Sequence, residues 1–100
     1  MNAKELHEAM KNNYETALDV FYSRENNNEL ATAIEYCNSA IDLYEKNVDT
    51  DSQLVFSYYQ KTLNLLGHIY FAIDQCEDAL ECVRRFYQLK KNSATPIDTI

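Results

Sequence analysis

The sequence contains one glycine and one proline among its 100 residues. Glycine and proline are the strongest turn formers, and an all-β protein needs many turns. The scarcity of both therefore predicts an almost entirely helical chain. No apolar run approaches the ~18 residues that a membrane-spanning helix requires, and polar and charged side chains interrupt the first ten residues throughout. We expect neither a membrane span nor a signal peptide.

The three cysteines are an odd number and include no Cys-x-x-Cys pair. Without a secretory context, they favour a reduced, cytoplasmic protein. A metal set could be drawn from Cys37, Cys76 and Cys82 with His7 and His68, but their scatter is not the spacing of a zinc site. A phosphate-binding glycine loop is missing as well. We therefore expect no cofactor, no metal and no enzymatic activity.

Acidic residues outnumber basic ones, and the formal net charge is −7. This sign argues against direct binding of nucleic acid, whose phosphates attract basic proteins. The first fifty residues hold ten acidic and four basic side chains, so this half would suit a basic partner. Ordinary solubility explains the same charge, and an acidic inhibitor that mimics nucleic acid is a further alternative.

Apolar residues recur at three- and four-residue steps, which is the spacing of one helical face. They predict four helices joined by short polar turns, over about residues 3–24, 29–46 and 52–73, and from a cap at Asp74 to about 91. The third helix has N-cap candidates in Asp49, Thr50 and Asp51. Short connections make neighbouring helices antiparallel. Residues 1–92 should form one domain and 93–100 a flexible tail.

The buried faces of these helices follow from the same spacing. In the third helix, Leu63, Leu66, Gly67 and Tyr70 share one face. A glycine inside a helix costs about 1 kcal/mol relative to alanine, so the lone Gly67 is best explained by another backbone packing closely against it. In the fourth helix the predicted core positions are Ala79, Leu80, Val83, Phe86 and Tyr87.

These residues resemble the tetratricopeptide repeat, a helical hairpin in which small residues allow two helices to pack closely. The pattern runs from Leu63 through Gly67 and Tyr70 to Ala79, and an earlier unit has Ala33 and Ala40 in its second helix. The two units are 46 residues apart, against 34 in the family, so they would be lengthened, degenerate repeats. A plain antiparallel four-helix bundle remains the alternative fold.

The resemblance implies a non-catalytic protein-binding module, such as an adaptor, a small chaperone or a regulator. The first helix of each repeat would line a groove for a partner peptide or helix. The groove positions are Asn12, Glu15, Asp19 and Tyr22 from the first helix and Lys61, Asn64, His68 and Phe71 from the third. Two repeats leave apolar ends uncovered, which predicts a homodimer or a place in a larger assembly. A structural subunit without a groove is the main rival function.

Overall fold

Four α-helices account for most of the computed structural model, which describes residues 2–47 and 53–93. In chain order these are α1 (Ala3–Ser23), α2 (Leu30–Lys46), α3 (Gln53–Ala72) and α4 (Cys76–Ser93), with a 3₁₀ turn (Asn27–Glu29) before α2. No strand occurs within the described ranges. The all-helical prediction is confirmed, and each boundary lies within two residues of its predicted place.

Two parts of the prediction lie outside the described residues. One is the set of N-cap candidates for α3, Asp49, Thr50 and Asp51, and the other is the tail, of which only Ser93 is described, as the last residue of α4. Among the helices of the described ranges, none is both long and apolar enough to cross a membrane.

Asparagine side chains begin the first two helical segments. The side-chain oxygen of Asn2 accepts the backbone N–H of Glu5 at 2.8 Å at the start of α1. Asn26 does the same for Asn28 at 2.9 Å at the start of the 3₁₀ turn. The first amides of a helix have no partner within it, and such caps satisfy them. Asn26 thus caps the 3₁₀ turn, while α2 follows directly after Glu29, which makes no side-chain capping bond.

Asp74 ends α3 instead of capping α4. Its φ of 61° is left-handed, its N–H donates to Phe71 O at 3.2 Å, and the Gln75 N–H donates to Tyr70 O at 2.9 Å. These two bonds form a Schellman motif, which closes a helix through one left-handed residue. At the start of α4, the Ala79 N–H donates a hydrogen bond to Gln75 O. Gln75 therefore occupies the N-cap position that was predicted for Asp74.

The left-handed backbone at Asp74 leads to a stability prediction. Glycine adopts this conformation without the steric cost that a side chain brings, so we expect Asp74→Gly to raise the free energy of unfolding by about 0.5–1 kcal/mol. Asp78→Gly is the matched control, because Asp78 lies in the helical first turn of α4 and glycine there should lower stability. Urea unfolding of both variants would measure the difference, and equal losses would contradict the motif.

Helix α3 lies at the centre of the molecule, in contact with α1, α2 and α4, while α1 also packs along α2. This position explains why α3 is buried on most of its circumference; its buried residues are Val55, Tyr59, Thr62, Leu63, Leu65, Leu66, Gly67 and Ile69. Leu6, Met10 and Ala17 of α1 and Leu30, Ala33, Cys37, Ala40 and Ile41 of α2 complete most of the core. The small residues Ala33, Ala40 and Ala79 are all fully buried, as predicted.

Helix α1 runs parallel to α3. The ring of Tyr58, near the start of α3, contacts the rings of His7 and Tyr14. At the other end, the side-chain amide of Asn27, just beyond α1, donates to the carbonyl of Ala72 at 3.4 Å, where α3 ends. Both helices therefore point the same way, which is expected of two stacked hairpins and of a plain antiparallel bundle alike.

Gly67 lies against α4, as its sequence context predicts. A Cβ placed on it would be 3.5 Å from Cys82 Cβ, 3.7 Å from the Ala79 carbonyl oxygen and 3.8 Å from Val83 Cγ2. These are ordinary van der Waals distances. The interface is close enough to exclude a large side chain at this position, yet it has room for one methyl group.

The predicted core of α4 is wrong at two positions. Leu80 and Tyr87 are 54% and 65% exposed. Ala79 and Cys82 are buried, and Val83 and Phe86 are half-buried. The physical reason is that α4 packs chiefly on α3, so that only a narrow strip of its apolar face is covered.

Arg85 ties α4 to two other helices. Its Nη2 donates to Glu45 Oε1 of α2 and to the Tyr59 hydroxyl of α3, both at 2.8 Å. The Tyr59 ring in turn stacks on Tyr44 of α2, with ring centroids 4.0 Å apart. This polar contact satisfies the hydroxyl of a nearly buried tyrosine, which otherwise would cost free energy.

Candidate functional site

The predicted groove residues lie on the exposed sides of α1 and α3. We call them the α1/α3 surface; its members are Asn12, Glu15, Asp19 and Tyr22 of α1 and Lys61, Asn64, His68 and Phe71 of α3, and all eight are exposed. On α1 they lie opposite the buried Leu6, Met10 and Ala17, because one helical face is covered and the other is not. Their exposure is compatible with the groove positions that the tetratricopeptide resemblance implies.

An aromatic cluster joins the two helices beside this surface. The Tyr58 ring packs edge-on against His7 and Tyr14, with centroid distances of 5.3 and 5.8 Å. The ammonium of Lys61 lies over the same ring, 4.9 Å from its centroid. Such contacts stabilise by roughly 0.5–1 kcal/mol each at partly exposed sites. The cluster therefore positions Lys61 as well as holding α1 to α3.

Sequence reasoning did not assign His7 or Tyr58 to this surface. The position of Tyr58 could have been predicted from its spacing. It precedes Lys61 by three residues and therefore lies on the same side of α3 as Lys61. His7 and Tyr14 are seven residues apart and share one side of α1 in the same way. Only the tertiary structure shows that α1 and α3 contact each other along these two sides.

Two aromatic rings are presented to solvent near the C-terminal ends of α1 and α3. Tyr22 is 77% exposed and Phe71 is 47% exposed. The Tyr22 ring rests edge-on against Phe21, at a centroid distance of 5.2 Å, and the Arg24 guanidinium lies over the Phe21 ring, 4.6 Å from its centroid. Tyr22 is thus held on a packed support while its own ring stays accessible.

Among the eight residues of the α1/α3 surface, the acidic and the basic side chains belong to different helices. The exposed acids Glu15 and Asp19 belong to α1, and the bases Lys61 and His68 belong to α3. Within the described ranges the ion pairs lie elsewhere, between Arg84 and Glu81 at 2.9 Å and between Arg85 and Glu45 at 2.8 Å. Glu15, Asp19, Lys61 and His68 take part in neither of these ion pairs, and all four are exposed.

Two of the three cysteines, Cys37 and Cys82, are buried. Burial, with a smaller effect of Cys82, raises the pKa of the Cys37 thiol to about 12, and burial also raises the pKa of Cys82. A protonated thiol is neither a nucleophile nor a metal ligand. The remaining Cys76 is exposed. In the described part of the chain, neither a pocket nor a group of three metal-binding side chains is found.

The raised pKa of Cys37 predicts a loss of stability at alkaline pH. The folded state keeps the proton up to about pH 12, whereas the unfolded thiol loses it near pH 9. Stability is therefore complete below about pH 9 and falls above it, by up to about 1.4 kcal/mol per pH unit. Urea unfolding under reducing conditions between pH 7.5 and 10.5 would measure this fall. Cys37→Ala should reduce this slope, with the raised pKa of Cys82 sustaining part of it, and Cys76→Ala should leave it as in the wild type; an unchanged slope in Cys37→Ala would contradict the assignment.

Comparison of the chain with protein-family models, curated proteins and solved structures gives no match. The all-helical fold stands on the structure alone. The tetratricopeptide resemblance stays a prediction carried by residues such as Gly67, Ala33 and Ala79, and the four helices accommodate both the two-hairpin and the plain-bundle form.

Proposed function

We propose that this chain is a non-catalytic protein-interaction module that binds a helix or extended segment of another polypeptide on its α1/α3 surface. The observation that carries the proposal is the pair of exposed rings, Tyr22 and Phe71, beside charged side chains of both signs. Aromatic side chains are enriched at the energetic centres of interfaces. The charged groups around them would set the orientation of the partner.

The arrangement of the helices supports a tetratricopeptide-like interpretation of this module. Helices α1 and α3 are neighbours and parallel, with α2 and α4 as their hairpin partners. Such a protein would act as an adaptor, a small chaperone or a regulator in the cytoplasm, without a cofactor. The excess of acid in the first half favours a partner segment with basic residues over nucleic acid.

A structural role in a larger assembly is the second candidate, and one observation favours it. Leu80 and Tyr87 lie on one side of α4, with Val83 half-buried between them. Exposed apolar side chains aligned on one helix face are typical of contacts that another subunit covers. In that case α4, and not the α1/α3 surface, would be the binding face.

Partner capture with charge-reversed variants tests the proposal. We would immobilise the wild-type chain, Asp19→Lys and His68→Glu, expose each to native lysate, and quantify the bound proteins by mass spectrometry. Partners of the α1/α3 surface should be depleted about tenfold or more on both variants, because reversed charges at a contact repel. The melting temperature should change little, since both side chains are exposed.

Glu35→Lys is the matched control, because Glu35 is an exposed acid of α2 and its reversal should leave capture intact. Retention of the same partners on folded Asp19→Lys and His68→Glu would contradict binding on this surface. Loss of partners on Tyr87→Lys alone would favour the structural role of α4.

A further inference from the structure

We infer that a second copy of this chain binds the α1/α3 surface. The two copies would face each other through this surface, across a two-fold axis that runs parallel to α1 and α3. The inference rests on the proposed function, because it names a partner for the same surface. It depends on the relative heights of α1 and α3, on the distribution of charge between them, and on the exposed rings.

The contacts of Tyr58 show which residues of α1 and α3 lie at the same position along the two parallel helix axes, here called their height. Its ring touches His7 and Tyr14, so Tyr58 lies level with the part of α1 between them. Lys61 is one turn further along α3, at the height of Tyr14 and Glu15. His68 follows Lys61 by about 10 Å and Asp19 follows Glu15 by about 6 Å, at a helical rise of ~1.5 Å per residue. The acids and bases of the surface are therefore matched in height to within about one turn.

Two-fold symmetry turns this match into intermolecular contacts. The axis lies between the two copies and is parallel to the helices. A rotation of 180° about it places α1 of one copy opposite α3 of the other and leaves each residue's position along the helix axis unchanged. Glu15 then faces Lys61 of the partner subunit, and Asp19 faces His68 of the partner subunit. In such an isologous interface every contact occurs twice, so two kinds of pair supply four contacts.

The charge distribution also selects this orientation over the alternative. A two-fold axis perpendicular to the helices would place α1 on α1 and bring the acids Glu15 and Asp19 close to their own copies. Like charges at close range cost several kcal/mol at an interface. Of these two axes, only the parallel one brings Glu15 to Lys61 of the partner subunit.

The aromatic side chains fit the same geometry. Tyr22 and Phe71 lie at nearly equal heights near the ends of their helices, and the axis brings Tyr22 of one copy towards Phe71 of the partner subunit. Both rings are exposed in the single chain, and burial of exposed rings supplies the hydrophobic part of an interface. Lys61 is already held over Tyr58, so less side-chain freedom is lost on binding.

Charge reversal and mixing test the dimer. Light scattering and sedimentation equilibrium of the purified wild-type chain should give twice the monomer mass of 11.7 kDa at micromolar concentration, and the dissociation constant should rise with salt. Glu15→Lys and Lys61→Glu should each weaken the dimer about tenfold or more. An equimolar mixture of the two variants should recover wild-type affinity, because opposite charges meet at both contacts of the heterodimer.

Two controls keep the result specific. The double variant Glu15→Lys/Lys61→Glu should dimerise like the wild type, and Glu35→Lys on α2 should also be unaffected. A monomer at every concentration up to about 1 mM would overturn the inference, as would a dimer that neither single reversal weakens, a mixture that does not recover, or dissociation by Tyr87→Lys. Circular dichroism melts would establish that each variant is folded.

The two proposals fail in distinguishable ways. If the chain is monomeric but Asp19→Lys loses captured partners, the dimer is wrong and the interaction surface stands. If the dimer behaves as expected but no other protein is captured, self-association is the use of the surface and the adaptor role is wrong.

Discussion

Replacing Leu63 by alanine should lower the free energy of unfolding by about 2–5 kcal/mol, the range measured for buried leucines. Leu63 is fully buried on α3, the helix that contacts all three others. Neighbours fixed from several sides cannot collapse into the space left behind, so the cavity persists. A domain of this length is stable by roughly 5–15 kcal/mol, and the melting temperature should fall by about 10 °C or more.

The control for this prediction is Leu54→Ala on the same helix. Leu54 is 62% exposed, so the same chemical change should cost less than about 0.5 kcal/mol. Urea unfolding followed by circular dichroism would compare the two variants. Equal losses would mean that α3 is not the centre of the core.

Substitutions of Gly67 should change stability in opposite directions according to size. Gly67→Ala should raise the free energy of unfolding by about 0.5–1 kcal/mol, because alanine restores helix propensity and its Cβ meets neighbours at 3.5 Å or more. Gly67→Leu should lower it by about 1–3 kcal/mol, because the added atoms would extend into Cys82 and Val83 of α4. Thermal melts of the two variants beside the wild type would measure both effects.

The Gly67 series also tests the packing of α4 on α3. A stable Gly67→Leu variant would contradict the close approach of the two helices. A loss on Gly67→Ala would mean that the Ala79 carbonyl lies closer than 3.7 Å and that glycine itself is required there.

Much of the exposure of the α1/α3 surface was predictable, because helical periodicity indicates which side of a helix is polar. Asp19 and Lys61 are exposed for the same reason that Met10 and Leu63 are buried. The pairing of α1 with α3 was expected from the repeat resemblance. The contribution of Tyr58 was not, since an aromatic residue off the main apolar stripe fits either a surface position or a contact with a second helix.

The predicted core of α4 was wrong for a related reason. Leu80 and Tyr87 belong to a genuine apolar stripe, and periodicity cannot tell whether a neighbour covers it. Asp74 is a comparable case, because aspartate suits both an N-cap and a left-handed helix end. The hydrogen bonds of Asp74 and Gln75 with α3 decide between them.

The sequence by itself determined the helices, their approximate ends, most of their buried faces and the close contact at Gly67. These features depend on local propensity and on the 3.6-residue period, which are properties of consecutive residues. The tertiary structure alone decided the central place of α3, the relative height of α1 and α3, the bridge from Arg85 to Glu45 and Tyr59, and the exposure of Leu80 and Tyr87. These features depend on which helices meet, and residues far apart in the chain determine that jointly.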